Sequence, residues 1–139
     1  MDGTPAHIAY LIDEMKVGGT QRHIQGLIER LPDTWRASVF CLEREGSIGA
    51  ALRAQGVPVE AFGCANLWRP AGLAAVRRLR KRLLHDPLAI LHAFLGTACL
   101  LAPVLARGLP TRVVTSRRDT GFWMGTGFRW LARWVAKRA

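Results

Sequence analysis

Five short apolar runs rich in β-branched and aromatic residues alternate with longer segments of helical period, and few folds accept that order. The runs are His7 to Ile12, Arg36 to Leu42, Val57 to Phe62, Leu88 to Phe94 and Thr111 to Thr115. Strands that are apolar on both faces and separated by helices predict a parallel sheet built from βαβ units. Right-handed crossovers then predict an α/β, doubly wound, Rossmann-like sheet with helices on both faces and strand order 3-2-1-4-5.

The intervening segments carry their own punctuation. The first helix, Thr20 to Leu31, places Ile24, Leu27, Ile28 and Leu31 on one face, with Thr20 as its expected N-cap. Pro32-Asp33 ends it. Ile48 to Ala54 forms a short helix closed by Gly56, and Pro58 suits the third strand to an edge. Ala71 to Leu84 sets Leu73, Val76, Leu79 and Leu83 on one face. Arg77, Arg78, Arg80, Lys81 and Arg82 lie around the other side and read as a solvated surface.

A length of 139 residues, 50% of them hydrophobic and 22% charged, fits one domain with a real core and excludes a disordered chain. The net charge of +10 implies affinity for something anionic: a membrane surface, a nucleic acid or a phosphorylated substrate. The three cysteines, Cys41, Cys64 and Cys99, show no C-x-x-C pair, so a disulfide framework or zinc site is not expected; each reads as a small buried apolar residue in a reducing cytoplasm. The N-terminus has no secretory pattern. Leu88 to Ala106 has no charged residue and the length of a bilayer span, but Pro87, His92, Gly96 and Pro103 divide it into a buried strand and a separate helix, Thr97 to Arg107.

In the expected strand order the sheet reverses between its first and fourth strands, and ligands bind outside the carboxyl ends of the strands at such a point. Gly18-Gly19 follows the first strand and opens into a helix. His92 lies in the fourth strand; Ser116, Arg117, Arg118 and Asp119 close the fifth. Each has a plainer reading. The glycine pair is either a phosphate-binding loop or a tight turn that needs positive φ. His92 is either a site residue or a satisfied core histidine. Arg117-Arg118-Asp119 is either a ligand contact or a surface ion-pair group. Neither a Walker A loop nor a complete G-x-G-x-x-G fingerprint occurs. From Phe128 onward a basic amphipathic helix is expected, with Trp130 and Trp134 at its boundary. It suits packing on the sheet with snorkelling arginines, and it also suits a membrane interface.

These segments resemble the N-terminal half of a GT-B glycosyltransferase of family 4. The matching residues are Ile8 to Ile12 with Val17-Gly18-Gly19-Thr20-Gln21-Arg22-His23, Val39 to Leu42, Gly46, Gly56 to Val59, Ile90 to Ala93, and Val113 to Asp119. The resemblance implies transfer of a sugar from a nucleotide-sugar donor to the hydroxyl of a sugar or lipid-linked acceptor, with retention, and with no metal and no cofactor. It implies that Gly18, Gly19 and Thr20 contact the donor diphosphate, that Arg117, Arg118 and Asp119 line the acceptor side, and that His92 is the catalytic imidazole. Relatives often carry H-x-H at the end of the fourth strand; here the second position is Phe94. The family's donor-binding domain, with its paired glutamates, is not within these 139 residues, so the expectation is a truncated acceptor-side domain without transferase activity of its own. A cell-envelope acceptor, a cytoplasmic location and peripheral contact with the inner face of an anionic membrane follow as expectations. No nucleic-acid motif is visible. The alternatives are a non-catalytic basic module that binds membrane or nucleic acid, and a different nucleotide-using doubly wound enzyme.

Overall fold

The computed structural model describes residues 3–117. The chain runs β1(Ala6–Glu14), α1(Gly19–Glu29), β2(Trp35–Arg44), α2(Gly46–Ala54), β3(Val59–Ala61), α3(Pro70–His85), β4(Ile90–Phe94), α4(Gly96–Leu105) and β5(Arg112–Ser116). The sheet has order β3-β2-β1-β4-β5, and every neighbouring pair is parallel. This is the Rossmann-like α/β architecture that the alternation of apolar runs predicts.

Strand alternation sends side chains to two cores. Ala9, Leu11, Phe40, Leu42, Leu91 and Ala93 face α3 and α4; Ile8, Tyr10, Ile12, Val39, Cys41 and Phe94 face α1 and α2. Both faces of the central strands are therefore dry. That is why β1 reads as an unbroken apolar run and not as an alternating one. Burial of residues such as Leu11, Leu91 and Phe94 stabilises the sheet by about 1.5–3 kcal/mol each. All three cysteines are buried, and burial pushes the Cys41 thiol up to about 12.

Several local expectations are corrected. Gly18, not Thr20, is the N-cap of α1; Thr20 lies inside the first turn. β1 continues past Ile12 to Glu14, because β2 is long enough to pair with it as far as Arg44. β3 is only three residues long, with Pro58 just outside it. Leu73 is exposed, and the buried stripe of α3 is Gly72, Ala75, Leu79 and Leu83. The loop carbonyl of Asn66 presses against Gly72, where a Cβ would collide, so the small residue and not the leucine turns inward. The basic side of α3 is not wholly solvated. Arg78 donates to the Phe62 carbonyl, Arg80 to the Leu105 carbonyl, and Arg82 pairs with Glu60 at 3.0 Å. Long stems let these cations reach polar acceptors from the edge of the core. Leu88 to Ala106 divides into β4 and α4, and no helix among the described residues is long and apolar enough to cross a membrane. The expected C-terminal helix, with Arg118 and Asp119, lies outside the described residues.

Candidate active site

The junction after β1 is held from below. Gly46 adopts φ +70 and lies against the Met15 and Lys16 backbone, where a Cβ would overlap main-chain atoms. The first amides of α2 then close on that loop: Ile48 N donates to the Met15 carbonyl at 2.9 Å and Gly49 N to the same oxygen at 3.2 Å. On the other side Gln21, itself buried, donates through Nε2 to the Glu14 carbonyl at 3.0 Å. The loop between β1 and α1 is thus fixed by three hydrogen bonds to two carbonyls.

That anchoring leaves the start of α1 open. Gly18 has φ −177, an extended conformation that any residue adopts, so positive φ is not the reason for the glycine pair. The reason lies in space. A Cβ on Gly18 would collide with Gln21 Oε1, whereas a Cβ on Gly19 would meet nothing within 4 Å among the described residues. No side chain caps α1, and its first turn carries no acidic residue. The amides of Gly19, Thr20 and Gln21 lack intrahelical acceptors, as in any first turn. Together with the helix dipole they form an electropositive patch suited to an anion. Gly19 is exposed and Thr20 half-buried.

The neighbouring strand brings an aromatic array to the same region. Tyr10 of β1 is in register with His92 of β4, and their rings are 5.8 Å apart. His92 stacks on Phe94 with centroids at 4.2 Å, and His23 of α1 meets the Phe94 edge at 6.1 Å. These contacts tie the second turn of α1 to the end of β4, which joins the two sides of the switch point. Phe94 is 0% exposed, so it is a packing residue, and His92 is the more accessible ring of the pair. Ser116 Oγ of β5 lies 2.8 Å from His92 Nε2 and fixes the orientation of the imidazole. Arg117 is exposed just beyond Ser116.

Two features of this edge carry a free-energy cost. Leu95, between β4 and α4, has φ 71 and ψ 177, a region that is essentially glycine-only. Asp13, near the end of β1, has a buried Oδ1 with no hydrogen-bond partner among the described residues. Burial, and then the neighbouring Glu43 charge, raise its pKa to about 6. Sequence patterns do not mark Asp13, His23 or Leu95 as site residues. An acid at a strand's carboxyl end was the available signal for Asp13; the other two become notable only through contact and backbone angle. Among the described residues no group of three or more His, Cys, Asp or Glu is placed to hold a metal ion.

Open parallel α/β sheets of this class place their ligand sites outside the carboxyl ends of the strands, at the switch point. The chain matches the Glycosyl transferase 4-like domain over residues 18–139, and it belongs to that family. It is thus a family 4 glycosyltransferase-like domain, whose substrates are in general terms a sugar donor and an acceptor. No curated protein matches it.

Proposed function

We propose that these residues form the acceptor-side half of a retaining GT-B glycosyltransferase. Its reaction is transfer of a sugar from a nucleotide-sugar to an acceptor hydroxyl. The observation that supports this most is the uncapped start of α1 beside His92: amides with no side-chain competitor, at the sheet's switch point, one strand away from an oriented imidazole.

On this reading the Gly19 and Thr20 amides stabilise charge that develops on the leaving diphosphate. The open space over Gly19 lets a phosphate approach the backbone closely. His92, held by Ser116, faces the reacting centre, and Arg117, Arg118 and Asp119 line the acceptor side. Donor recognition falls to a second α/β domain, so the 139-residue chain alone is expected to turn over no nucleotide-sugar. Titration of the labelled protein with pyrophosphate and with UDP tests this. The Gly18, Gly19 and Thr20 amide resonances are expected to move first, and Gly19→Ala is expected to abolish the shift. Shifts confined to other regions would overturn the assignment. Transfer catalysed by the 139 residues alone would overturn the division between two domains.

A membrane-proximal acceptor is the second part of the proposal. Trp68 is 89% exposed, and Leu73 and Leu84 project from the outer side of α3 among the exposed Arg69, Arg77 and Lys81. Exposed apolar groups within a basic surface suit the headgroup region of an anionic bilayer. Cosedimentation with vesicles containing anionic lipid, and none with neutral vesicles, is the expected result.

A further inference from the structure

At the amino edge of the sheet, remote from the α1 start, lies a second constellation. His7 of β1 and Ser38 of β2 are 6% and 4% exposed, and His7 Nε2 is 2.8 Å from Ser38 Oγ. On the other side of the ring, His7 Nδ1 is 3.4 Å from Asp86 Oδ2, at the end of α3, and makes no geometrically good hydrogen bond. Asp86 Oδ1 in turn accepts from Arg36 Nη2 at 2.9 Å. His7, Ser38, Arg36, Arg82 and Asp86 all line a cavity of about 340 Å³, whose apolar walls include Leu31, Trp35 and Val57.

The arrangement has the order hydroxyl, imidazole, carboxylate. That order serves a nucleophile, the base that accepts its proton, and the group that orients the base. The looser outer distance is usual for such a set without ligand. A cavity of this volume falls in the range that admits small molecules. A purely structural role does not account for the set. The neighbouring inward positions, Ala9, Leu11, Phe40 and Leu42, are apolar, and an apolar pair in place of His7 and Ser38 would avoid burying two polar side chains.

We propose that Ser38 is a nucleophile with His7 as its base and Asp86 as its positioning residue, and that the cavity accepts small carboxylic esters as acyl donors. Ser38 Oγ attacks the ester carbonyl carbon while its proton passes to His7 Nε2. The carbon–alkoxide bond then breaks, and the departing alcohol takes that proton. Water attacks the resulting acyl-serine and gives a proton to His7. Ser38 leaves, recovers that proton, and the carboxylic acid is released. Arg36 and Arg82 line the same cavity, and their charges act on His7.

The electrostatics favour an unprotonated base. Burial is the main cause that lowers the His7 pKa, and the Arg36 charge is next; Asp86 opposes both, and Arg82 adds a smaller lowering. The groups around the ring are therefore Arg36 and Ser38 from β2, Arg82 from α3 and Asp86 from its C-terminal end, with Asp33 on the cavity wall. A base of this kind is ready at neutral pH.

Treatment of the folded chain with a fluorophosphonate probe, followed by peptide mass spectrometry, tests the proposal. Label is expected on Ser38, lost in Ser38→Ala, and slowed by about 100-fold or more in His7→Gln. Asp86→Asn should slow it as well. The wild-type labelling rate should rise with pH with a midpoint below 6.5, and p-nitrophenyl acetate should release nitrophenol with the same pH dependence. Absence of label on folded wild-type protein overturns the proposal, as does a rate unchanged in His7→Gln. Should His7→Gln fail to fold, the wild-type profile decides alone, and a flat profile overturns the proposal.

Discussion

The two edges of the sheet differ in backbone strain and in how closely their side chains pair. At the carboxyl edge the structure tolerates costs. α1 opens without a side-chain cap, Leu95 occupies a glycine-only backbone region, and Asp13 keeps a buried carboxylate oxygen without a hydrogen-bond partner among the described residues. At the amino edge most polar groups are paired. Arg36 meets Asp86 at 2.9 Å, Arg82 meets Glu60 at 3.0 Å, and His7 meets Ser38 at 2.8 Å. An edge that serves a ligand leaves polar groups waiting for it, whereas one that closes a core satisfies its own. The amino edge departs from the plain version of that rule in two respects: His7 Nδ1 has no hydrogen-bond partner among the described residues, and the groups of this edge also line a cavity.

The contrast can be broken most strongly at Gly46. Its φ of +70 and its contact with the Met15 backbone leave no room for a methyl group. Gly46→Ala is expected to destabilise the fold by about 2 kcal/mol or more, read as a lowered urea midpoint. It should also displace the loop that carries Gly18. An unchanged midpoint would mean that the anchoring of the carboxyl edge is weaker than the geometry indicates.

Next in size is Asp13. Its folded pKa is raised to about 6 from 3.8, so the folded state holds a proton more tightly than the unfolded chain. The stability this brings is complete below pH 3.8 and is lost as pH rises through 6. Asp13→Asn should therefore stabilise the protein at pH 7.5 by about 1–2 kcal/mol, allowing for screening at its exposed side, with the gain vanishing near pH 4. Thermal melts of the two proteins at both pH values measure it.

The amino edge should show the opposite sign. His7 is lowered from 6.5 chiefly by burial, so its contribution is present above 6.5 and is lost as pH falls toward the folded value. Asp86 is lowered from 3.8, with the Arg36 hydrogen bond the first cause acting against burial; its contribution disappears only below that range. Comparing His7→Gln with wild type from pH 7.5 to 5 should remove an acid-side loss of stability. Wild-type melts alone will partly conceal both effects, since Asp13 gains stability over much of the interval in which His7 loses it.

The smallest expected stability change is at Gly19. Space for its Cβ is free and the position is helical, so Gly19→Ala should fold normally, with a gain of at most about 1 kcal/mol. Normal melting combined with lost pyrophosphate binding would separate ligand approach from fold. Retained binding would remove the glycine from the proposed phosphate contact.

Much of the fold was legible in the sequence because hydrophobic period reports directly which faces are dry. Five apolar runs and their spacing led to the strand order, and Gly18-Gly19 and His92 fell at the switch point by topology. Detail failed where neighbours intervened. Leu73 was expected inside, yet the approach of Asn66 to Gly72 turned the stripe by one residue. Thr20 was expected to cap α1, but chain direction at Gly18 puts the cap two residues earlier. Phe94 and His92 share a strand face, and only packing against Tyr10 and His23 shows which of them is sealed.

The order of local patterns thus determined the architecture and strand order of the fold, since periodicity and turn residues act within a few positions along the chain. Tertiary structure alone decided that Asp13 Oδ1 has no hydrogen-bond partner among the described residues, that Leu95 is strained, and that His7 lies against both Ser38 and Asp86. Those properties depend on burial and on distances between residues as many as 79 positions apart, as between His7 and Asp86. No local pattern carries such information, because electrostatic cost and hydrogen-bond geometry are set only when separate elements pack together.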